Sequence, residues 1–214
     1  MNDPADRRPI ASRDAAPVRR LAAWAAGAGI TPNGISIMSM LAALMAGLAF
    51  AFAGERPWGL VLAAIGCQLR LMCNLLDGLV AVEGGKGKPD GPFWNEAPDR
   101  ISDLLILGGL GFAAGQPDLG WLAAALAILT AYIRELGRAN GAGNDFSGPL
   151  AKPQRMALVT VAALVQAGLI AWGQGSDLLI WTLWILIAGT AVTVLSRAGR
   201  QIQALRAAQR QPRP

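Results

Sequence analysis

The chain has 214 residues, 53% of them hydrophobic and 15% charged, with a net charge of +5 and no histidine. Its charges fall in narrow clusters between long apolar stretches, which excludes an ordinary soluble globular domain and points to a polytopic membrane protein. The positive balance suits anionic headgroups, and with no aromatic-plus-basic reading motif in the chain no nucleic-acid partner is expected.

In chain order, residues 1–30 read as an N-terminal tail and interfacial helix. The first dozen residues look disordered. Residues 15–28, with Arg19, Arg20, Leu21 and Trp24, form the interfacial helix. There is no apolar core before about residue 21 and no small-residue cleavage site, so no removable signal peptide is expected. Six segments then approach the roughly 20 apolar residues a bilayer core requires: about 33–53, 58–81, 98–115, 119–138, 153–173 and 178–197. Pro32, Pro57, Pro98, Pro117 and Pro153 each fall near a segment's start, where a missing N–H is harmless. Thr31 and Ser176 suit N-caps. Abundant Gly and Ala let membrane helices approach closely. The expected fold is all-α: an integral membrane bundle of six transmembrane helices over residues 31–200, with a basic tail at 201–214 whose last ten or so residues look disordered.

Charge sets the orientation. Arg7, Arg8, Arg13, Arg19 and Arg20 precede the first span, Lys86, Lys88 and Arg100 lie around the second connection, Arg134, Arg138, Lys152 and Arg155 flank the fourth, and Arg197, Arg200, Arg206, Arg210 and Arg213 follow the last. Arg56 alone lies in a connection on the other side. By the positive-inside rule both termini and the site described next face the cytoplasm across the cell (inner) membrane.

The chemistry-bearing pattern is Asn74-x-x-Asp77-Gly78-x-x-Ala81, followed after a spacer by Asp99-x-x-x-Asp103. On helices, positions three or four apart share a face, so the two pairs can converge. With no His, and with Cys67 and Cys73 on different faces of one helix as packing residues, oxygen ligands for Mg²⁺ or Mn²⁺ fit better than zinc or iron. An acid in a helix's first turn offsets the macrodipole, which accounts for Asp99 without chemistry. Asp103 sits inside an apolar run, and an ionisable group there is a functional candidate. Glu96 has two readings, a further ligand or a first-turn acid. Arg70, two turns deeper than Asp77, must pair with an acid, a carbonyl or a lipid phosphate, and a buried structural pair is favoured.

This pattern resembles the signature of the CDP-alcohol phosphotransferases, Asp-x-x-Asp-Gly-x-x-Ala-Arg, a spacer, then Gly-x-x-x-Asp-x-x-x-Asp. Asp77, Gly78, Ala81, Asp99 and Asp103 match. Asn74, Val82 and Asn95 depart from it, and the spacer is longer. Thr31-Pro32-Asn33 is similar to the family's usual opening of its first span. The resemblance implies that Asp77 and Asp99 bind a pair of divalent ions, Mg²⁺ or Mn²⁺, with Asn74 as a neutral ligand and Glu96 as a possible further one. Asp103 is implied as the general base and is counted among the metal-site residues, with Gly78 and Ala81 as small positions around the cytidine diphosphate group. Tyr132-x-Arg134, Arg138 and Lys152-Pro153-Gln154-Arg155 are similar to basic positions near the acceptor pocket. The positive-inside flank accounts for Arg138 and Lys152 without a ligand, which leaves Arg134 and Arg155 as the better candidates for an anionic, phosphorylated acceptor. The implied partners are a CDP-activated lipid such as CDP-diacylglycerol, a small polar acceptor alcohol, membrane lipids and a second copy in a homodimer. The implied reaction is phosphatidyl transfer to the alcohol with release of CMP. Asn74, Val82 and Asn95 also admit a catalytically impaired relative that binds nucleotide-lipid or regulates other enzymes. A transporter or channel ranks last, because all the intramembrane charges but Arg70 cluster at one edge.

Overall fold

Each apolar stretch becomes a helix, and prolines mark most of the starts. The computed structural model describes residues 16–54, 56–83 and 89–210. Its elements are α1 (Ala16–Gly27), α2 (Pro32–Ala51), α3 (Pro57–Glu83), α4 (Gly91–Ala113), α5 (Pro117–Ala139), α6 (Lys152–Ala171) and α7 (Leu178–Arg210). The expectations for residues 1–15 and 211–214, and for Lys86 and Lys88, lie outside the described residues. Thr31 caps α2 by accepting a hydrogen bond from Gly34 N at 3.1 Å, and Ser176 Oγ accepts from Leu178 N at 3.1 Å.

Among the described residues five helices, α2, α3, α5, α6 and α7, are long and apolar enough to cross a membrane. α4 falls short on composition because Asp99, Arg100 and Asp103 lie within it. At 23 residues it is nevertheless about 35 Å long, it buries Asp99 and Asp103 inward, and it packs between α2 and α5 as the sixth member of the bundle. Neighbouring helices follow one another as α2, α3, α6, α7, α5, α4 and back to α2, which closes a ring. Phe50, Leu60, Leu107, Met156, Leu183 and Leu186 fill its interior. Leu48, Trp58, Ile65, Val161, Trp184 and Leu195 face outward, the arrangement of a multi-pass membrane protein. α1 lies against α3, where Ala22 and Ala25 pack on Leu76, Leu79 and Val80.

Two expectations are corrected. Pro98 does not open a span: α4 begins seven residues earlier, with Pro92 in its first turn and Pro98 inside it. Asp90 is held there by Asn33 Nδ2 (3.1 Å) and Trp94 Nε1 (3.0 Å), which secures a turn that the sequence leaves unanchored. The C-terminal tail is helical through Arg210, because its Ala, Leu, Gln and Arg are strong helix formers that extend α7 beyond its apolar part.

In lipid the apolar face of a helix gains little by leaving its solvent, so close packing supplies the association. The α2–α4 crossing shows this directly: a Cβ on Gly109 would stand 2.7 Å from Gly47 Cα. Gly109→Val is therefore expected to separate the two helices and cost about 1–3 kcal/mol or more. A thermal melt of detergent-purified protein checks it, and an unchanged midpoint would contradict this packing.

Candidate active site

Six helices meet at one end of the ring, and all but α2 bring charge to it. α3 supplies Arg70, Asn74 and Asp77 on one face, α4 supplies Glu96, Asp99 and Asp103, and the first turn of α6 supplies Lys152 and Arg155. α2 adds Ser36, α5 adds Arg134, and α7 holds the connection that aims α6. Asp77, Asp99, Asp103, Arg70 and Arg155 are all buried.

At the centre stands Arg70. Its Nη2 donates to Asp99 Oδ1 and Asp103 Oδ1, each at 3.2 Å, and the side chain is wholly enclosed. The buried structural pair expected from the cost of an intramembrane arginine is therefore present, with two carboxylates rather than one. The other oxygen of Asp103 accepts from Arg155 Nη2 at 3.0 Å. Asp99 Oδ1 also accepts from Asn74 Nδ2 at 3.0 Å. Lys152 Nζ donates both to Asp99 Oδ2 and, at 2.7 Å, to Asn74 Oδ1. Arg100 Nη2 approaches Asp99 Oδ2 at 3.5 Å.

Asp77 differs. Its Oδ2 accepts from Ser36 Oγ at 3.1 Å, whereas its Oδ1 is buried with no hydrogen-bond partner among the described residues. A buried carboxylate oxygen without a donor is costly, and a hard cation is a fitting partner for it. An open oxygen donor of this kind suits Mg²⁺ or Mn²⁺. Asn74 Oδ1 and both oxygens of Asp99 are already engaged by protein donors. Among the described residues no three carboxylate or thiolate side chains gather as a ready-made cage.

Glu96 pairs with Arg134 and, at 3.7 Å, with Arg100, so the structure places it among cations. Arg134 also donates to Glu135 Oε1 and lies 4.9 Å from the centroid of the Phe146 ring. Gly78 and Ala81 are half-buried on α3, one and four residues beyond Asp77.

The start of α6 is fixed from α7. Arg197 donates to Ser147 O at 2.8 Å and Thr130 O at 3.0 Å, Arg200 to Asp145 Oδ2 at 2.8 Å, and Thr193 Oγ1 accepts from Leu150 N at 3.1 Å. Burial, the largest influence on Asp145, pushes its carboxyl up, but the Ser147 hydrogen bonds and the Arg200 guanidinium outweigh it and hold it below the usual carboxylate range. This pairing thus contributes stability above the unfolded carboxylate range and loses it as the pH falls.

The chain is similar in sequence and in fold to known membrane enzymes. No family model matches the chain. The phosphatidylinositol phosphate synthase of Mycolicibacterium smegmatis is 30% identical over 195 residues, covering 84% of this chain and 81% of the relative. The chain belongs to the CDP-alcohol phosphotransferase family. The archaetidylinositol phosphate synthase of Pyrococcus horikoshii is 29% identical over 152 residues, 71% of this chain and 78% of that protein. The phosphatidylinositol phosphate synthase of Mycobacterium tuberculosis in complex with manganese and citrate shares the fold at a TM-score of 0.74 and 21% identity, over 86% of this chain and 88% of that one. The same enzyme with CDP-DAG bound gives 0.73 at 21% identity, over 87% and 94%.

Against the CDP-alcohol phosphotransferase signature, the residue that the sequence reading undervalued is Lys152. A lysine at a helix start near the membrane edge satisfies the positive-inside rule by itself, so nothing in its position distinguishes it. The one available signal was the neutral Asn74, which leaves room for a cation of the protein's own. Ser36 was missed as well, because a hydroxyl in the first turns of a span ordinarily bonds its own helix, as Ser36 also does to Pro32 O.

Proposed function

We propose that this protein transfers the phosphatidyl group of a CDP-activated lipid, CDP-diacylglycerol, to a small phosphorylated alcohol, releasing CMP. The observation that carries this reading is the convergence of Asp77, Asp99 and Asp103 with Asn74 at one end of a helical ring, in a chain related along most of its length to phosphatidylinositol phosphate synthases. Relatedness to manganese- and CDP-DAG-bound structures supports the choice of cofactor and donor.

The roles follow from position. Asp77 anchors the divalent ion, Mg²⁺ or Mn²⁺. Such ions commonly take one or two carboxylates plus substrate phosphates. When bound, the ion neutralises the diphosphate and lowers the cost of the departing phosphate. Gly78 and Ala81 let the nucleotide approach the α3 backbone. Asp103 accepts the proton of the acceptor hydroxyl as its oxygen attacks the lipid-linked phosphorus. Arg155 covers one Asp103 oxygen at 3.0 Å. An anionic acceptor competes for that guanidinium, and drawing it away uncovers the base as the acceptor arrives. Arg134, held by Glu96 and Glu135, adds a second guanidinium for the same phosphate. The site lies at the cytoplasmic edge, with both termini on that side and two copies forming a homodimer through membrane helices.

The test is CMP release by purified protein given CDP-diacylglycerol, Mg²⁺ or Mn²⁺ and a panel of free and phosphorylated alcohols. Metal-dependent release requiring one phosphorylated acceptor is the expected result. Release with neutral alcohols only would remove the anionic-acceptor assignment. Silence in the folded parent with activity in Asn74→Asp would favour an impaired, nucleotide-lipid-binding relative, a reading that Asn74 itself motivates.

A further inference from the structure

The neutral Asn74 and the half-buried Lys152 answer to each other. Asn74 is oriented twice over: its Nδ2 donates to Asp99 Oδ1 at 3.0 Å and its Oδ1 accepts from Lys152 Nζ at 2.7 Å. The same ammonium donates to Asp99 Oδ2, so one cation bridges the oxygens of both residues. An aspartate at position 74 could not make this arrangement. It has no donor for Asp99, and two carboxylates at that separation repel unless a cation lies between them.

Charge accounting points the same way. An aspartate together with a divalent ion sums to one positive charge, and so does an asparagine together with an ammonium. Replacing the first pair by the second leaves the net charge unchanged while removing the need for an ion. Lys152 is placed for this by the fold rather than by a flexible reach. It is the first residue of α6, followed at once by Pro153, preceded by the buried Ala151, and its own side chain is only 12% exposed. Asp99 is then fully committed, with Arg70 and Asn74 on Oδ1 and Lys152 and Arg100 on Oδ2. Asp77 Oδ1 remains the buried carboxylate oxygen without a protein donor among the described residues.

We infer that Lys152 is a resident cation of the site: its ammonium, bridging Asn74 and Asp99, stands in for one divalent ion, and the protein holds a single divalent ion at Asp77. Lys152 acts as a positioning residue, fixing Asn74 and Asp99 in place of a second ion.

This inference rests on the reading of the site as a divalent-ion-dependent transferase, but it is tested without turnover. The experiment is a Mn²⁺ titration of purified, nucleotide-free protein, with stoichiometry from equilibrium dialysis and spin coupling from electron paramagnetic resonance. The parent is expected to bind one Mn²⁺ per chain with the spectrum of an isolated ion. The Asn74→Asp/Lys152→Met double variant is expected to bind two, with a signal broadened by the neighbouring spin. Two ions in the parent, none in the parent, or no second ion in a folded double variant would overturn the inference. If the double variant does not fold, the parent count decides alone. Loss of CMP release with every acceptor would defeat the transferase reading while leaving a count of one intact, so the two failures are distinguishable.

Discussion

Asp103→Asn is expected to lower CMP release about 10²- to 10⁴-fold, the usual worth of a general base, while CDP-lipid still binds. The carboxamide keeps the shape of the side chain but cannot take up the acceptor's proton. It also reverses a contact. Asp103 meets guanidinium groups through both oxygens, Arg70 at 3.2 Å and Arg155 at 3.0 Å, and an amide must turn one N–H toward one of these cations. Arg70 retains Asp99, whereas Arg155 is left with Leu150 O at 3.1 Å as its remaining acceptor. Some stability is lost as well, so the assay needs a thermal melt and a CDP-lipid binding measurement beside it. A variant that melts lower but turns over at the parent's rate per folded molecule would assign Asp103 to structure and remove it from the chemistry.

The spans were legible because lipid imposes one simple demand, about 20 apolar residues with backbone bonds closed internally, and because Pro32, Pro57, Pro117 and Pro153 mark helix starts. α4 was legible in part. Its apolar half announced itself, but the stretch before Pro98 carries Glu96, Asn95 and two aromatics, and only the clasp of Asp90 by Asn33 and Trp94 shows that the helix begins at Gly91. Arg70 could be read from cost alone, since a guanidinium two turns inside a membrane helix must find a partner. Which partners it finds depends on where α4 crosses α3, which no local pattern encodes. Lys152 illustrates the limit more sharply. Its charge is explained by topology, and its contact with Asn74 spans 78 positions in sequence, so spacing within a helix carries no trace of it.

Arg70→Met is expected to destabilise the protein by about 3–5 kcal/mol, the cost of breaking a buried ion pair by removing one partner. Arg70 of α3 is fully enclosed, and its Nη2 is shared between Asp99 and Asp103, two carboxylates four residues apart on α4 that would otherwise repel each other. Lys152 and Arg155 still hold the far oxygens of these carboxylates, so the variant keeps part of its compensation. At about 2–4 °C per kcal/mol for a chain of this size, the melting midpoint should fall by roughly 6–20 °C. Arg70→Lys should recover part of that loss: a lysine supplies the charge but lacks the planar fork, and a point donor reaches one carboxylate better than two. The decisive comparison is a double-mutant cycle. If Arg70 acts by separating the two carboxylates, adding Asp103→Asn to Arg70→Met should cost less than Asp103→Asn costs in the parent, because a repulsion is removed along with a partner. Strict additivity would show that Arg70 stabilises the bundle through its methylene packing and not through the carboxylates it touches.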